Sequence, residues 1–388
     1  MPGERKMIYL DNGATTKVDE RVLDEMIPYF TEHYGNPSSI YSFSKKPRQA
    51  IEKARKIISG KLNANPDEII LTSGGSETDN LALRGAAIYA KNNGKTHIIT
   101  TVIEHHAILN TCRALEKEGF SVTYLKVDNE GFINLDELEK AIRDDTFLVS
   151  IMHANNEIGT IQDISAIGKL CRGKRVYFHT DAVQSFTKVP IDVVEMNIDM
   201  LSIASHKIHG PKGVGALYLR KGVRIANLIT GGSQENNRRA GTENVPGIAG
   251  FGKAVELAKP EHIEKMIKLR DYMIKQIEDS IPDAKLNGPR QKRLCNNINI
   301  GFRYIEGEGI LMSLDMEGIC VSTGSACSSK SLDPSHVLMS LGLKHEEVHG
   351  SIRFTISRFT EKEEIDFTVE KLKGIIEHLR KLSPLTPR

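Results

Sequence analysis

The sequence predicts an α/β protein with a mostly parallel sheet of seven strands, covered by helices on both faces. Apolar strands alternate with helical patterns between residues 68 and 204, and most of these strands are continuous apolar runs. Such runs are typical of parallel strands that are buried on both faces. A smaller α+β region, which opens with a long amphipathic helix, follows Lys259-Pro260.

The elements of the large region follow from apolar periodicity and turn residues. Helices are expected around Val22 and Met26 and at residues 47–59, 76–91, 106–118, 135–142 and 164–171. Strands are expected at residues 68–72, 98–103, 122–127, 147–152, 176–179, 200–204 and 214–219. The last two strands are close in sequence, so we expect the second to fold back along the first after a turn.

The smaller region is predicted to contain helices at residues 261–280 and 361–381 and strands at residues 296–302 and 350–359. In the last strand, Ile352 and Phe354 alternate with Ser351, Arg353 and Thr355, which predicts a half-buried strand. We therefore predict a large domain of residues 17–259 and a small domain of residues 1–16 and 260–388. The small domain would carry a loop at about residues 321–333.

Composition predicts a soluble globular protein, with 39% hydrophobic and 26% charged residues among 388. A net charge of +2 gives no electrostatic reason to expect nucleic acid or an anionic membrane as partner. No apolar run is long enough to span a bilayer, and the first residues lack a signal-peptide pattern. The five cysteines are widely spaced without a CxxC pair, so we expect free thiols and a cytoplasmic protein.

Lys207 lies in the turn between the last two strands of the large region, flanked by His206 and His209. A lysine just beyond an apolar strand and beside imidazoles is well placed to lose solvent, which favours its neutral amine. A neutral amine forms a Schiff base with a carbonyl compound. The alternative is an ordinary solvated turn lysine, which is the common case for this residue type.

Polar residues follow several other strands, at the edge where ligands of parallel sheets bind. They are Gly75 and Ser76 at a helix start suited to phosphate, the imidazole of His105, the amide of Asn156, and Asp181 with Gln184. Each has a plainer interpretation: a helix N-cap for Ser76 and Asp181, a capping or core histidine for His105. No Walker A or GxGxxG pattern is present. Taken together with the lysine, the set fits pyridoxal 5′-phosphate better than other common cofactors.

Cys327 lies within residues 321–331, a run of small and polar residues that predicts an exposed loop. A thiol in such a loop can act as a nucleophile, although a buried, inert state is the commonest one for cysteine. Arg353 could clamp a substrate carboxylate or make a surface ion pair. His206 and His209 are spaced like metal ligands, but no third ligand is near in sequence, so we predict no metal site.

The ordered set of motifs resembles the cysteine desulfurases, fold type I pyridoxal phosphate enzymes of the class-V aminotransferase family. The motifs are IYLDNGATT at Ile8, then GNPSS, TSGGSETDN, EHHAIL, SIMHANNEIGTIQDI, HTDAVQS, SHKIHGPKGVGALY, AGTENVPGI, VSTGSACSS and SIRFTISRFT. They cover nearly the whole chain.

The resemblance implies a role for each matching residue. The implied roles are Lys207 as the Schiff-base lysine, His105 stacked on the pyridine ring, Asp181 on the ring nitrogen and Gln184 on the phenolic oxygen. The phosphate would be held by Gly75, Ser76 and His206 and by Thr242 of the partner subunit. Asn156 and Arg353 would bind the substrate carboxylate, and Cys327 would be the persulfide-carrying thiol and a possible sulfur-transfer or cluster ligand. Many relatives have a serine three residues before the lysine, where this chain has Ala204. Ser205, one step nearer Lys207, is counted among the expected cofactor-binding residues.

The implied activity is conversion of L-cysteine to L-alanine by a homodimer, with the sulfur passed on for iron–sulfur cluster assembly and tRNA thiolation. An iron–sulfur scaffold protein is the expected acceptor. A selenocysteine lyase or an aminotransferase of the same fold is the alternative enzyme. A degenerate fold member that serves only as a scaffold subunit is the alternative that is not an enzyme.

Overall fold

The computed structural model describes residues 7–323 and 334–385. The strands are β1 Ile8–Tyr9, β2 Ile69–Thr72, β3 His97–Thr101, β4 Ser121–Leu125, β5 Thr146–Ser150, β6 Tyr177–Asp181, β7 Met200–Ala204, β8 Gly215–Leu219, β9 Ala284–Leu286, β10 Asn297–Phe302, β11 Ile319–Cys320, β12 Ser322–Thr323 and β13 Ser351–Thr355. The helices are α1 Glu20–Met26, α2 Pro28–Thr31, α3 Lys45–Leu62, α4 Gly75–Lys91, α5 His106–Lys117, α6 Leu135–Ala141, α7 Ile164–Lys174, α8 Gln234–Asn237, α9 Val245–Glu256, α10 Pro260–Ser280, α11 Gly307–Met316, α12 His336–Ser340, α13 His345–His349 and α14 Lys362–Leu382.

The large sheet has seven strands, as predicted, and their order is β2-β8-β7-β6-β5-β3-β4. Strand β8 runs antiparallel to both of its neighbours, and the remaining pairs are parallel. The exception arises because only residues 205–214 join β7 to β8, which is too short for a parallel crossover. The carboxyl ends of the other strands therefore open on one edge of the sheet.

Helices cover both faces of this sheet, because its strands are apolar on both sides. Helices α4 and α5 pack on one face through residues such as Leu81 and Ile108. Helices α1, α3, α7 and α9 pack on the other face through residues such as Ile58 and Phe251. The predicted α/β class with a mostly parallel sheet is confirmed.

The smaller sheet is antiparallel, with the order β12-β13-β10-β9. Its apolar face packs on α10, α11 and α14 through a core that includes Ile298, Phe354 and Leu372. The short strand β1 pairs with β11, and both Ile8 in β1 and Leu10 just after it belong to this core. The division of the chain into residues 17–259 and residues 1–16 with 260–388 stays a prediction.

The prediction that residues 350–359 form a half-buried strand was wrong. All five residues of β13 are buried. Ile352 and Phe354 enter the small core, while Arg353 and Thr355 are bonded to the segment at residues 11–13. The alternation is real, but its polar side faces protein instead of water.

Among the described helices, none has the length and apolar character needed to cross a membrane.

Candidate active site

The carboxyl edge of the large sheet borders a cavity of about 310 Å³. Nine of the predicted site residues line it: Gly75, Ser76, His105, Asn156, Asp181, Gln184, His206, Lys207 and Arg353. Gly13 and Ala14 close it from the amino-terminal segment. An adjoining cavity of about 410 Å³ shares Gly75, Ser76 and His206 and adds Lys212.

Lys207 ends a single 3₁₀ turn, Ser205–Lys207, which follows β7 directly. Its Nζ atom donates hydrogen bonds to the carbonyl oxygens of Gly13, at 2.6 Å, and Ala14, at 2.7 Å. Gln184 Nε2 also donates to the Gly13 carbonyl, at 3.0 Å. Backbone acceptors thus hold the Lys207 amine at the cavity wall, and the side-chain amide of Gln184 lies beside it.

His105 is at once a helix cap and a cavity residue. Its Nδ1 accepts the backbone N–H of Ala107 at 3.1 Å, which caps α5. Burial, and then the charge of Lys207, lower the pKa of His105 to about 4. The ring is therefore neutral near pH 7, with its proton on Nε2 because Nδ1 is an acceptor.

Asp181 is the last residue of β6, and its Oδ1 accepts the backbone N–H of Val183 at 2.9 Å. Burial raises the pKa of Asp181 to about 6, against the opposing effects of the Val183 N–H and the Lys207 charge. At neutral pH it is a buried carboxylate. Such a group favours a protonated ring nitrogen placed against it.

The amino terminus of α4 faces the adjoining cavity, with Ser76 in its first turn. Gly74 precedes it with φ 147° and ψ −179°, a conformation essentially confined to glycine. The ring of His206 also lines this cavity, and its Nδ1 atom lies 3.2 Å from Thr15 Oγ1. A helix amino terminus with Lys212 and a hydroxyl nearby is suited to a phosphate.

Arg353 reaches the cavity from β13 with only 2% of its surface exposed. One guanidinium nitrogen donates to the Asn156 carbonyl at 3.0 Å and the other to Asp11 Oδ1 at 2.9 Å. Its Nε has no partner among the described residues. Arg353 is therefore a buried guanidinium paired with a partly buried carboxylate, not the surface pair that was its alternative interpretation.

Three predicted residues lie elsewhere. Ser205 does not line either cavity: its hydroxyl is buried, lacks a partner among the described residues and points toward Gly210. Thr242 is exposed and also lies outside both cavities, so its role across a homodimer stays a prediction. Cys327 lies outside the described residues, as does most of the predicted loop.

One ionisable residue of the cavity is absent from the predicted set. Asp79 lies on α4, is 1% exposed and lines the same cavity as Asp181. It follows Gly75 by four residues and so lies on the same side of the helix. This spacing of an acidic residue from the predicted phosphate site could have indicated from the sequence that Asp79 lines the cavity.

The donor set fits pyridoxal 5′-phosphate. An amine, a buried carboxylate and a neutral imidazole share one cavity, and a helix amino terminus opens on the adjoining one. Within residues 7–323 and 334–385, His, Cys, Asp and Glu form no cluster able to hold a metal ion.

The Aminotransferase class-V family model matches residues 8–367. A protein of Clostridium botulinum called "Cysteine desulfurase IscS" is 56% identical over 98% of this chain and 97% of its own length. A Methanosarcina thermophila protein of that name is 53% identical over 99% of this chain and 96% of its own length.

Solved structures agree with the sequence relatives. A "NIFS-LIKE PROTEIN" superposes with a TM-score of 0.91 at 39% identity, covering 96% of this chain and all of that one. A structure described as "SspA in complex with cysteine" gives a TM-score of 0.83 at 39% identity, covering 91% of this chain and all of that one. The resemblance found from the motifs is confirmed: the chain belongs to the class-V aminotransferase family, among relatives named cysteine desulfurases.

Proposed function

We propose that this protein is a pyridoxal-phosphate-dependent cysteine desulfurase that converts L-cysteine to L-alanine and carries the sulfur as a persulfide on Cys327. The observation that carries the proposal is one cavity in which Lys207, Asp181 and Arg353 meet. Near relatives over almost the full chain carry the name of this activity. The finer parts of the proposal are a homodimer, a cytoplasmic location and an iron–sulfur scaffold protein as sulfur acceptor.

Each part of the cofactor would be bound by residues of matching chemistry. Lys207 would hold its aldehyde carbon, Asp181 its ring nitrogen and Gln184 its phenolic oxygen, while the ring would lie against His105. Ser76, His206 and the amino terminus of α4 would hold the phosphate, without the Ser205 hydroxyl. When bound, pyridoxal phosphate supplies an electron sink for bonds at the substrate Cα.

Arg353 and Asn156 orient the substrate by its carboxylate. Because one arm of Arg353 is already paired with Asp11, the carboxylate would take the remaining guanidinium donors. Lys207, once released from Gly13 and Ala14, is the base that moves the proton from Cα. His105 offers a second proton carrier through Nε2.

Sulfur transfer then needs a thiolate from Cys327. An S–S bond forms between Cys327 and the substrate sulfur as the Cβ–S bond breaks, and the electron pair of that bond stays on carbon. Protonation of that carbon completes alanine, so one thiol is exchanged for one persulfide without an external oxidant.

The test is incubation of the cofactor-loaded protein with L-cysteine, followed by mass spectrometry of the Cys327 peptide. We expect one added sulfur and an equivalent of alanine. Cys327→Ser should retain the cofactor, with a pyridoxyl group on Lys207 after borohydride reduction, but should form no persulfide. Full turnover by Cys327→Ser would remove Cys327 from the mechanism.

The same experiment separates the competing functions. Keto-acid formation would favour an aminotransferase, and preferential release of selenide from selenocysteine would favour a lyase. Failure to bind the cofactor at all would favour a scaffold subunit. Each of these results would overturn the proposed activity.

A further inference from the structure

Asp79 is a buried carboxyl that the proposed function leaves without a role. It lies on α4, four residues beyond Gly75, and is 1% exposed. It lines the same cavity as Asp181. A carboxyl this deeply buried calls for a compensating partner, because transfer of a charge from water is costly.

Among the described residues, the one basic side chain within ion-pair distance of Asp79 is His179, and it does not supply a positive charge. Its Oδ1 has no hydrogen-bond partner among the described residues and lies 3.8 Å from His179 Nε2. The two ring nitrogens of His179 are each 2.9 Å from a serine hydroxyl, those of Ser150 and Ser202. Burial lowers the pKa of His179 to about 3, so its ring is neutral.

The two carboxyls differ in their surroundings. Asp181 accepts the Val183 N–H and faces the Lys207 charge, and both favour its ionised form. Burial raises the pKa of Asp79 well above its ordinary value, as do the charges of Asp181 and Glu104, against a hydrogen bond from Ser202. Of the two carboxyls, Asp79 therefore favours its protonated form more strongly than Asp181 does.

We propose that Asp79 is a positioning residue for the ring nitrogen of the cofactor: a second buried carboxyl that, on ionising, strengthens the hold of Asp181 on the ring N–H. This inference rests on the proposed function. As pH rises, Asp79 would lose its proton and become negatively charged. The ring N–H would then be near two negative charges and would keep its proton to a higher pH than beside Asp181 alone.

The experiment uses 4-deoxypyridoxine 5′-phosphate, which lacks the aldehyde and so makes no bond to Lys207, labelled with ¹⁵N in its ring. The ¹⁵N chemical shift of the bound analogue reports the protonation of the ring nitrogen without any turnover. In Asp79→Asn we expect the ring to lose its proton roughly one pH unit lower than in the wild type. Asp136→Asn, on the exposed first turn of α6, is the control and should titrate like the wild type.

Asp181→Asn separates the inference from the proposed function. It should leave the ring nitrogen unprotonated at neutral pH. If Asp181→Asn changes nothing, the proposed cofactor site is wrong. If Asp181→Asn has this effect but Asp79→Asn titrates like the wild type, the role of Asp79 alone is wrong.

A second measurement needs no variant of the buried site. Wild-type protein labelled with ¹³C at the aspartate side-chain carboxyls should show one aspartate that keeps its proton to a higher pH than Asp181 does. Its signal should move when the analogue binds. If no aspartate keeps its proton to a higher pH than Asp181, or if the signal of that aspartate does not change when the analogue binds, the inference fails even where Asp79→Asn does not fold.

Discussion

At the scale of single residues, the charge of Asp181 should set the lower pH limit for cofactor binding. Its pKa is raised to about 6, so the carboxylate that would hold the ring N–H is progressively lost below that pH. We expect cofactor affinity, measured by fluorescence titration, to fall between about pH 7 and pH 5. The cofactor phosphate titrates in the same range. The affinity of Asp181→Asn for the cofactor should show only the shallower pH dependence that comes from the phosphate. If the pH profiles of the variant and the wild type are parallel, Asp181 does not hold the ring nitrogen.

Arg353 should control substrate affinity more than cofactor binding. Arg353→Lys keeps a positive charge but loses the planar, forked donors that match a carboxylate. A charged hydrogen bond contributes about 1.5–3 kcal/mol, so KM for L-cysteine should rise roughly 10- to 100-fold. The absorbance of the bound cofactor should be unchanged. An unaltered KM would place the substrate carboxylate elsewhere.

Which residues line the cavity is largely predictable from sequence, but the several contacts that each of them makes are less so. The sequence allows His105 to be either a cap or a ring-facing imidazole, and in the structure one nitrogen is a cap while the ring lines the cavity. Ser205 is predicted as a site residue only by its nearness to Lys207 in sequence. In a 3₁₀ turn adjacent residues point in different directions, so that nearness does not carry its hydroxyl into the site.

At the scale of elements, the entry to α4 depends on one glycine. A side chain at residue 74 would have free space, since no atom lies within 4 Å of the position its Cβ would take, but the backbone there has φ 147°. Gly74→Ala should therefore act through backbone strain, lowering the free energy of unfolding by about 1–3 kcal/mol. It should also weaken phosphate binding, because the first turn of α4 would be displaced. Chemical denaturation and binding of inorganic phosphate measure the two effects.

Gly60→Ala is the matched control. Gly60 is exposed within α3, and a Cβ there also has no atom within 4 Å, but its φ is not positive. This change should raise the free energy of unfolding by roughly 0.5–1 kcal/mol and leave phosphate binding unchanged. Equal effects of the two substitutions would rule out strain at Gly74.

Strand positions in the large sheet are predictable to within about two residues because their apolar runs are unbroken. The environment of β13, by contrast, is not predictable from its own sequence. Local alternation reports which residues share a face, but Arg353 contacts Asn156 and Asp11, which are 197 and 342 positions away. Whether a polar face meets water or protein depends on such distant pairings, which a local pattern does not encode.

At the scale of the whole molecule, the active site needs the small sheet held against the large one. Asp19 caps α1 and makes a buried pair with Arg358, which follows β13, and it also bonds Arg21. The hydrogen bonds from Arg21, together with Arg358, hold the pKa of Asp19 well below its usual range. A depressed pKa means that this carboxylate stabilises the fold above its unfolded value of about 4, and that the contribution is lost as pH falls below it.

Asp19→Asn should therefore lower the free energy of unfolding at pH 7 by about 3 kcal/mol, because Arg358 would keep a buried charge without its partner. The variant should also lose less stability than the wild type between pH 5 and pH 3, since the group that titrates there is gone. Urea denaturation across that range measures both effects. Asp24→Asn, exposed on the same helix, should follow the wild type at every pH. If Asp19→Asn does so too, the pair with Arg358 does not hold the two sheets together.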